Sequence, residues 1–158
     1  MTSKPAALCQ KPKPEAIFCA RRFSIAFDAA IARGLGIECD VRLSRDGLPS
    51  VFHDASLMRM TGQAGAVADR DAAELDALRL PDGGAIPRLA ALLDACITTP
   101  LLIEIKSKRE RDPVPLCAAV EQALRTYEGT VAVMSFDPRV PKWFADYAPN
   151  VVRGLVVT

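Results

Sequence analysis

The sequence predicts an α/β protein in which parallel strands are covered by crossover helices. Two observations carry this. Helical and extended patterns alternate regularly from residue 23 to the end of the chain, and the extended runs TPLLIEIK (99–106), TVAVMSF (130–136) and VVRGLVV (151–157) are apolar almost throughout. Strands buried on both faces read that way, whereas half-exposed antiparallel strands alternate apolar with polar residues. A third feature is the punctuation: glycine, proline or an aspartate–proline pair stands at most junctions between the two patterns.

Taken in order, residues 23–33 place Phe23, Phe27 and Ile31 at four-residue spacing, which predicts a helix stopped by Gly34. Residues 36–47 read as a strand running into an Asp46-Gly47 turn, and 48–54 as a second extended piece. The stretch 55–68 reads as an excursion loop with scattered glycines. Asp71 with Glu74 has the form of a capping box for a short helix near 72–79, and Pro87 suits the first position of a helix through Arg88–Ala95. Asp112-Pro113 opens a helix reaching Tyr127 and ended by Gly129. Asp137-Pro138 opens another, holding Trp143, Phe144 and Tyr147. Residues 1–22 fit none of this. With Pro5, Pro12 and Pro14, and with Glu15 as the sole acid among five basic residues, they read as an irregular basic tail.

Composition excludes several classes. Half of the 158 residues are hydrophobic, and 20 basic side chains face 19 acidic ones, so charge gives no reason to expect nucleic acid or a membrane surface as partner. No apolar run approaches the length of a bilayer span, and no apolar leader precedes a small-residue cleavage site. The five cysteines are odd in number and lack metal-type pair spacing, which suits free thiols in a reducing compartment; a cytoplasmic location is the expectation.

Three clusters carry chemistry. Glu38 and Asp40 lie two residues apart on a strand and so share a face. Two carboxylates on a buried face repel each other and lose solvation unless a cation, a proton or basic partners stand between them, and hard oxygen donors suit Mg2+ or Ca2+. The other reading is a solvated strand end with two surface acids. Glu104 and Lys106 repeat the spacing at the end of LLIEIK, where barrel enzymes build their sites; here the plainer reading is a neutralising ion pair. His53, the only histidine, follows an apolar strand and precedes Asp54, an acceptor able to orient its ring. A lone histidine is more often structural than catalytic, but the strand-end position leans toward function. Phe136 reads as core packing rather than a pocket wall, and Cys39, Cys96 and Cys117 as small buried residues.

These pieces occur together and in order. GIECDVRLSRDGLPSVFHDASLMRMTGQAG, then IPRLAALLD, then LLIEIKSK resembles the bacterial glycerophosphodiester phosphodiesterase pattern, over roughly residues 24–158. The resemblance implies roughly the first half to five-eighths of a TIM (β/α)8 barrel spanning residues 23–158, with 55–86 as the family's inserted segment. It implies a divalent-metal-dependent hydrolase that cleaves glycerophosphodiesters to an alcohol and glycerol 3-phosphate. Glu38, Asp40 and Glu104 match the metal ligands, His53 matches one of two acid–base histidines, and Lys106 matches the phosphate contact.

One family feature finds no match. The His-Arg-Gly motif that ends the family's first strand is replaced by Ala20-Arg21-Arg22-Phe23. The chain therefore reads as N-terminally altered and C-terminally truncated, with feeble hydrolysis expected. Two other readings compete: a non-catalytic barrel remnant that binds phosphate or metal and self-associates through open sheet edges, and a barrel enzyme in which Lys106 forms a Schiff base.

Overall fold

A computed structural model describes residues 25–107 and 111–157; the predicted basic tail lies outside the described residues. Helix α1 (Ile25–Ala32) ends where Gly34 takes φ +64°, a conformation open to glycine without strain. Strand β1 (Ile37–Leu43) follows and runs into the expected turn, where Gly47 has φ +81° and donates to the Ser44 carbonyl at 3.1 Å.

The second extended piece, β2 (Pro49–Val51), pairs antiparallel with β1, Val41 opposite Val51 and Leu43 opposite Pro49. This departs from an all-parallel sheet for a simple reason. The short connection through residues 44–48 cannot supply the crossover that a parallel neighbour requires, so the chain folds back on itself. Helices α2 (Met58–Thr61) and α3 (Ala72–Ala77), with a 3-10 turn at Val67–Asp69 between them, fill the excursion. The Asp71–Glu74 capping box is present, the Asp71 N–H donating to Glu74 at 2.8 Å, although α3 stops two residues short of expectation.

From there the βα rhythm holds: α4 (Leu89–Ala95), β3 (Leu101–Ile105), α5 (Val114–Leu124), β4 (Val131–Ser135), α6 (Arg139–Tyr147) and β5 (Val152–Leu155). The sheet order is β2-β1-β3-β4-β5, and β1, β3, β4 and β5 run parallel. Among the described residues it forms an open five-stranded sheet, a partial barrel rather than a closed one. No helix of the described residues is long and apolar enough to cross a membrane.

The two faces of the sheet differ. Ile37, Cys39 and Val41 of β1, Leu101, Ile103 and Ile105 of β3, and Val133 of β4 pack with Leu92, Leu93, Leu116, Val120, Val140 and Phe144 of the helices in one core. The side chains between them, Glu38, Asp40, Leu102, Glu104 and Met134, take the other face by strand alternation. A second, smaller core of Phe52, Leu57, Val67, Leu75 and Ile86 holds the excursion together.

Candidate active site

Parallel register decides the site. Asp40 of β1 stands opposite Glu104 of β3, and Glu38 opposite Leu102, so alternation brings Glu38, Asp40 and Glu104 to one face, with Glu104 at the carboxyl end of β3 and Glu38 near the start of β1. One carboxylate oxygen from each of the three lies within 4.8 Å of the others. Glu104 is buried, Asp40 half-buried and Glu38 open to solvent. Lys106, one step past β3, shares the face. Its Nζ reaches Asp40 at 2.8 Å and Glu104 at 2.6 Å. The strand end is fixed by the Lys106 N–H donating to the Val41 carbonyl at 3.2 Å.

The electrostatics follow from this crowding. Partial desolvation pushes the Glu38 carboxyl up from its ordinary value, and the charges of Asp40 and Glu104 push it further, against Lys106 and His53. Because Glu38 is exposed by area, repulsion from its two neighbours is the cause that counts here. Burial alone would lower the Lys106 ammonium. Its hydrogen bonds to Asp40 and Glu104 outweigh that, and the net shift is upward. The three-acid, one-lysine cluster is thus short of positive charge.

The donor set fits a hard divalent cation. Three oxygens within 4.8 Å of one another come close to the spread that one Ca2+ with contacts of about 2.3–2.6 Å spans, so small side-chain adjustments would bring all three to a shared ion. Cys39, between the two acids in sequence, faces the helices. Burial pushes its thiol up to about 12, leaving it neutral and outside the cluster.

His53 is exposed at the mouth of the site, beyond β2, and its charge is felt at Glu38. The expected orienting contact is present: Nδ1 lies 2.7 Å from Asp54 Oδ1. Arg59 grips the same carboxylate through Nε at 2.6 Å and a terminal nitrogen at 2.9 Å. These bonds hold the Asp54 carboxyl well below the usual range, so it stays ionised and keeps the ring oriented. With Nδ1 engaged, Nε2 is the nitrogen left for proton exchange.

The structure gathers four of the five residues singled out in the sequence, Glu38, Asp40, Glu104 and Lys106, into one cluster, and links His53 to β1 through its carbonyl, which accepts from Arg42. Sequence reasoning missed Arg42. It follows Asp40 by two residues on β1, and the period of two that paired Glu38 with Asp40 was signal enough to find it. Its Nε donates to the His53 carbonyl at 2.8 Å. A second omission is Asp137, which accepts from the Ser107 hydroxyl at 2.6 Å and pins the loop after Lys106. Phe136 corrects an expectation: it is exposed beside a cavity with Ser107 and Arg139 rather than packed in the core.

Comparison with known proteins gives the family and the fold. The family model described as the glycerophosphoryl diester phosphodiesterase family matches residues 25–157. A Mycobacterium tuberculosis protein named as a probable glycerophosphodiester phosphodiesterase 2 is 36% identical over 89 residues, 56% of this chain and 34% of that protein. An Oleispira antarctica phosphodiesterase, solved in complex with the product sn-glycerol-3-phosphate, superposes with a TM-score of 0.77 at 25% identity, covering 84% of this chain and 59% of its own. The glycerophosphodiester phosphodiesterase of Thermotoga maritima gives a TM-score of 0.69 at 28% identity over 84% of this chain and 54% of its own. The chain therefore spans about a third of the curated relative and little more than half of these solved structures.

Proposed function

The chain belongs to the glycerophosphoryl diester phosphodiesterase family, and from that premise we propose that it carries the cation- and phosphate-binding part of a metal-dependent phosphodiesterase. The reaction is hydrolysis of a glycerophosphodiester to an alcohol and glycerol 3-phosphate. The observation that carries the reading is the meeting of Glu38, Asp40 and Glu104 within 4.8 Å on one sheet face. The product-bound Oleispira structure supports a glycerol phosphate as the substrate's constant part.

In this reading Glu38, Asp40 and Glu104 hold a Ca2+ or Mg2+ ion, which supplies Lewis-acid polarisation of the phosphoryl group when bound. Lys106 lies against two of those acids, and its ammonium neutralises charge that builds on the phosphoryl oxygens. His53 exchanges a proton through Nε2, either with the attacking oxygen or with the departing alkoxide, a contribution of about 10²–10⁴-fold. Asp54 keeps the ring oriented for that exchange. Three buried free thiols, Cys39, Cys96 and Cys117, accord with a cytoplasmic setting.

A second reading is a non-catalytic barrel portion that binds metal or phosphate and self-associates. It draws on the single histidine of the chain and on the wholly exposed strand β5. Calorimetric titration of Ca2+ and Mg2+ into the wild type and Asp40→Asn tests the shared premise. One saturable site is expected, weakened about 10–100-fold in the variant. Equal affinity in both proteins sinks the metal assignment. Slow release of glycerol 3-phosphate from glycerophosphocholine separates the two readings: none at all favours the binding portion, and a monomer at every concentration removes its self-association.

A further inference from the structure

Lys106 borders a cavity of about 480 Å³ that the proposed chemistry leaves unused. Its walls come from Arg42 and Leu43 at the end of β1, Val67 of the excursion, and Arg111 and Leu116 around the start of α5. The carboxylate cluster and this cavity share Lys106, so a diester whose phosphate lies against Lys106 must send one of its two arms toward the cavity or away from it.

The cations of the lining are not equivalent. Lys106 is committed to Asp40 and Glu104. Arg45, which also touches the cavity, is committed to Asp71 and Glu74 at 2.8 and 3.0 Å. Arg42 is half-buried and spends only Nε, on the His53 carbonyl; its two terminal amino groups have no partner among the described residues. Arg111 is exposed, and its guanidinium likewise has none there. The one acid of the lining among the described residues, Asp112, accepts the Val114 N–H at 3.0 Å near the start of α5.

A guanidinium only donates hydrogen bonds, so two such groups ask for a ligand rich in oxygen acceptors. A quaternary ammonium group offers none and repels them. Its usual receptor is a set of aromatic faces, and among the described residues none that lines this cavity is aromatic. We propose that the cavity seats the alcohol arm of the diester, and that Arg42 with Arg111 selects polyols such as glycerol or inositol over choline. This specificity rests on the phosphodiesterase reading.

Binding of sn-glycero-3-phosphoinositol and of sn-glycero-3-phosphocholine to the full chain, measured by calorimetry in Mg2+-containing buffer, tests it without requiring turnover. The inositol compound is expected to bind about tenfold more tightly, the worth of one charge-assisted hydrogen bond at a partly exposed site. Arg42→Met should bring the ratio close to one, chiefly by weakening the inositol compound. Should that variant unfold, Arg111→Met, at an exposed position, should lower the ratio about threefold on its own. Equal binding of both compounds by the wild type, or a ratio unchanged in a folded Arg42→Met, overturns the selection while leaving the phosphodiesterase reading intact. Failure of both compounds to bind overturns the two together.

Discussion

On strand β3, Ile103 and Glu104 are neighbours in sequence and belong to different parts of the molecule. Ile103 is fully buried among the helices with Cys39, Val133 and Val120. Glu104 faces the opposite way, against Lys106 and beside Asp40. The same alternation divides β1 into Ile37, Cys39 and Val41 on one side and Glu38, Asp40 and Arg42 on the other. One face holds the fold by removing apolar surface from water. The other gathers three carboxylates, of which Lys106 pairs with two. Stability and chemistry are separated here by a single residue step.

The sharpest way to break this contrast is to truncate both faces of β3. Ile103→Ala should cost about 2–5 kcal/mol in urea denaturation, because a fully buried side chain leaves a cavity behind. Leu102→Ala, one position away and 37% exposed, should cost under about 1 kcal/mol. Comparable losses would mean that the second face is packed after all. The next effect is smaller. Lys106→Met leaves Asp40 and Glu104 facing each other uncompensated. It should lose about 1–3 kcal/mol in metal-free buffer, less than for a wholly buried pair because one acid can take up a proton. Added Ca2+ should recover part of that loss, and a deficit untouched by cation would argue that the lysine acts through packing.

The smallest effect concerns acid. Hydrogen bonds from Arg139, aided by the Ser107 hydroxyl, hold the Asp137 carboxyl well below its ordinary value, and Arg59 with His53 does the same for Asp54. A carboxyl depressed in the folded state contributes stability that is complete above its unfolded value near pH 4 and is lost as pH falls below it. Melting temperature should therefore drop between about pH 5 and about pH 3. Asp137→Asn, less stable at neutral pH, should show a shallower drop. Parallel curves for the two proteins would remove Asp137 as a contributor.

Much of this was legible in the sequence because it depends on local periodicity. LLIEIK reads as a strand from its run of apolar residues, and the same two-residue period puts Glu104 and Lys106 together. Gly34, Gly47 and the Asp71–Glu74 box mark ends that the structure keeps. What was not legible depends on register between strands. That Asp40 stands opposite Glu104 is a property of pairing, and no local pattern encodes it. The reversal at β2 needed the argument that the connection through residues 44–48 is too short to cross over. Arg42 was passed over because a basic residue beyond two acids reads as surface charge. Only the cavity beside it gives that side chain a role. Phe136 departs from expectation for a related reason: an aromatic at a strand end reads as core, but it lies just beyond the end of β4 and is exposed.

The excursion between Ala55 and Ile86 meets the sheet along a polar seam. The Arg45 N–H donates to the Arg70 carbonyl at 2.8 Å and its side chain clasps Asp71 and Glu74, Asp46 receives the Ala72 N–H at 2.9 Å, and Arg88 pairs with Asp76 at 2.7 Å. Exposed pairs of this kind weaken as mobile ions crowd around them, whereas the greasy interior behind β3 does not. Ionic strength therefore acts selectively, loosening one wall of the cavity beside Lys106 while leaving the carboxylates and their lysine where they are.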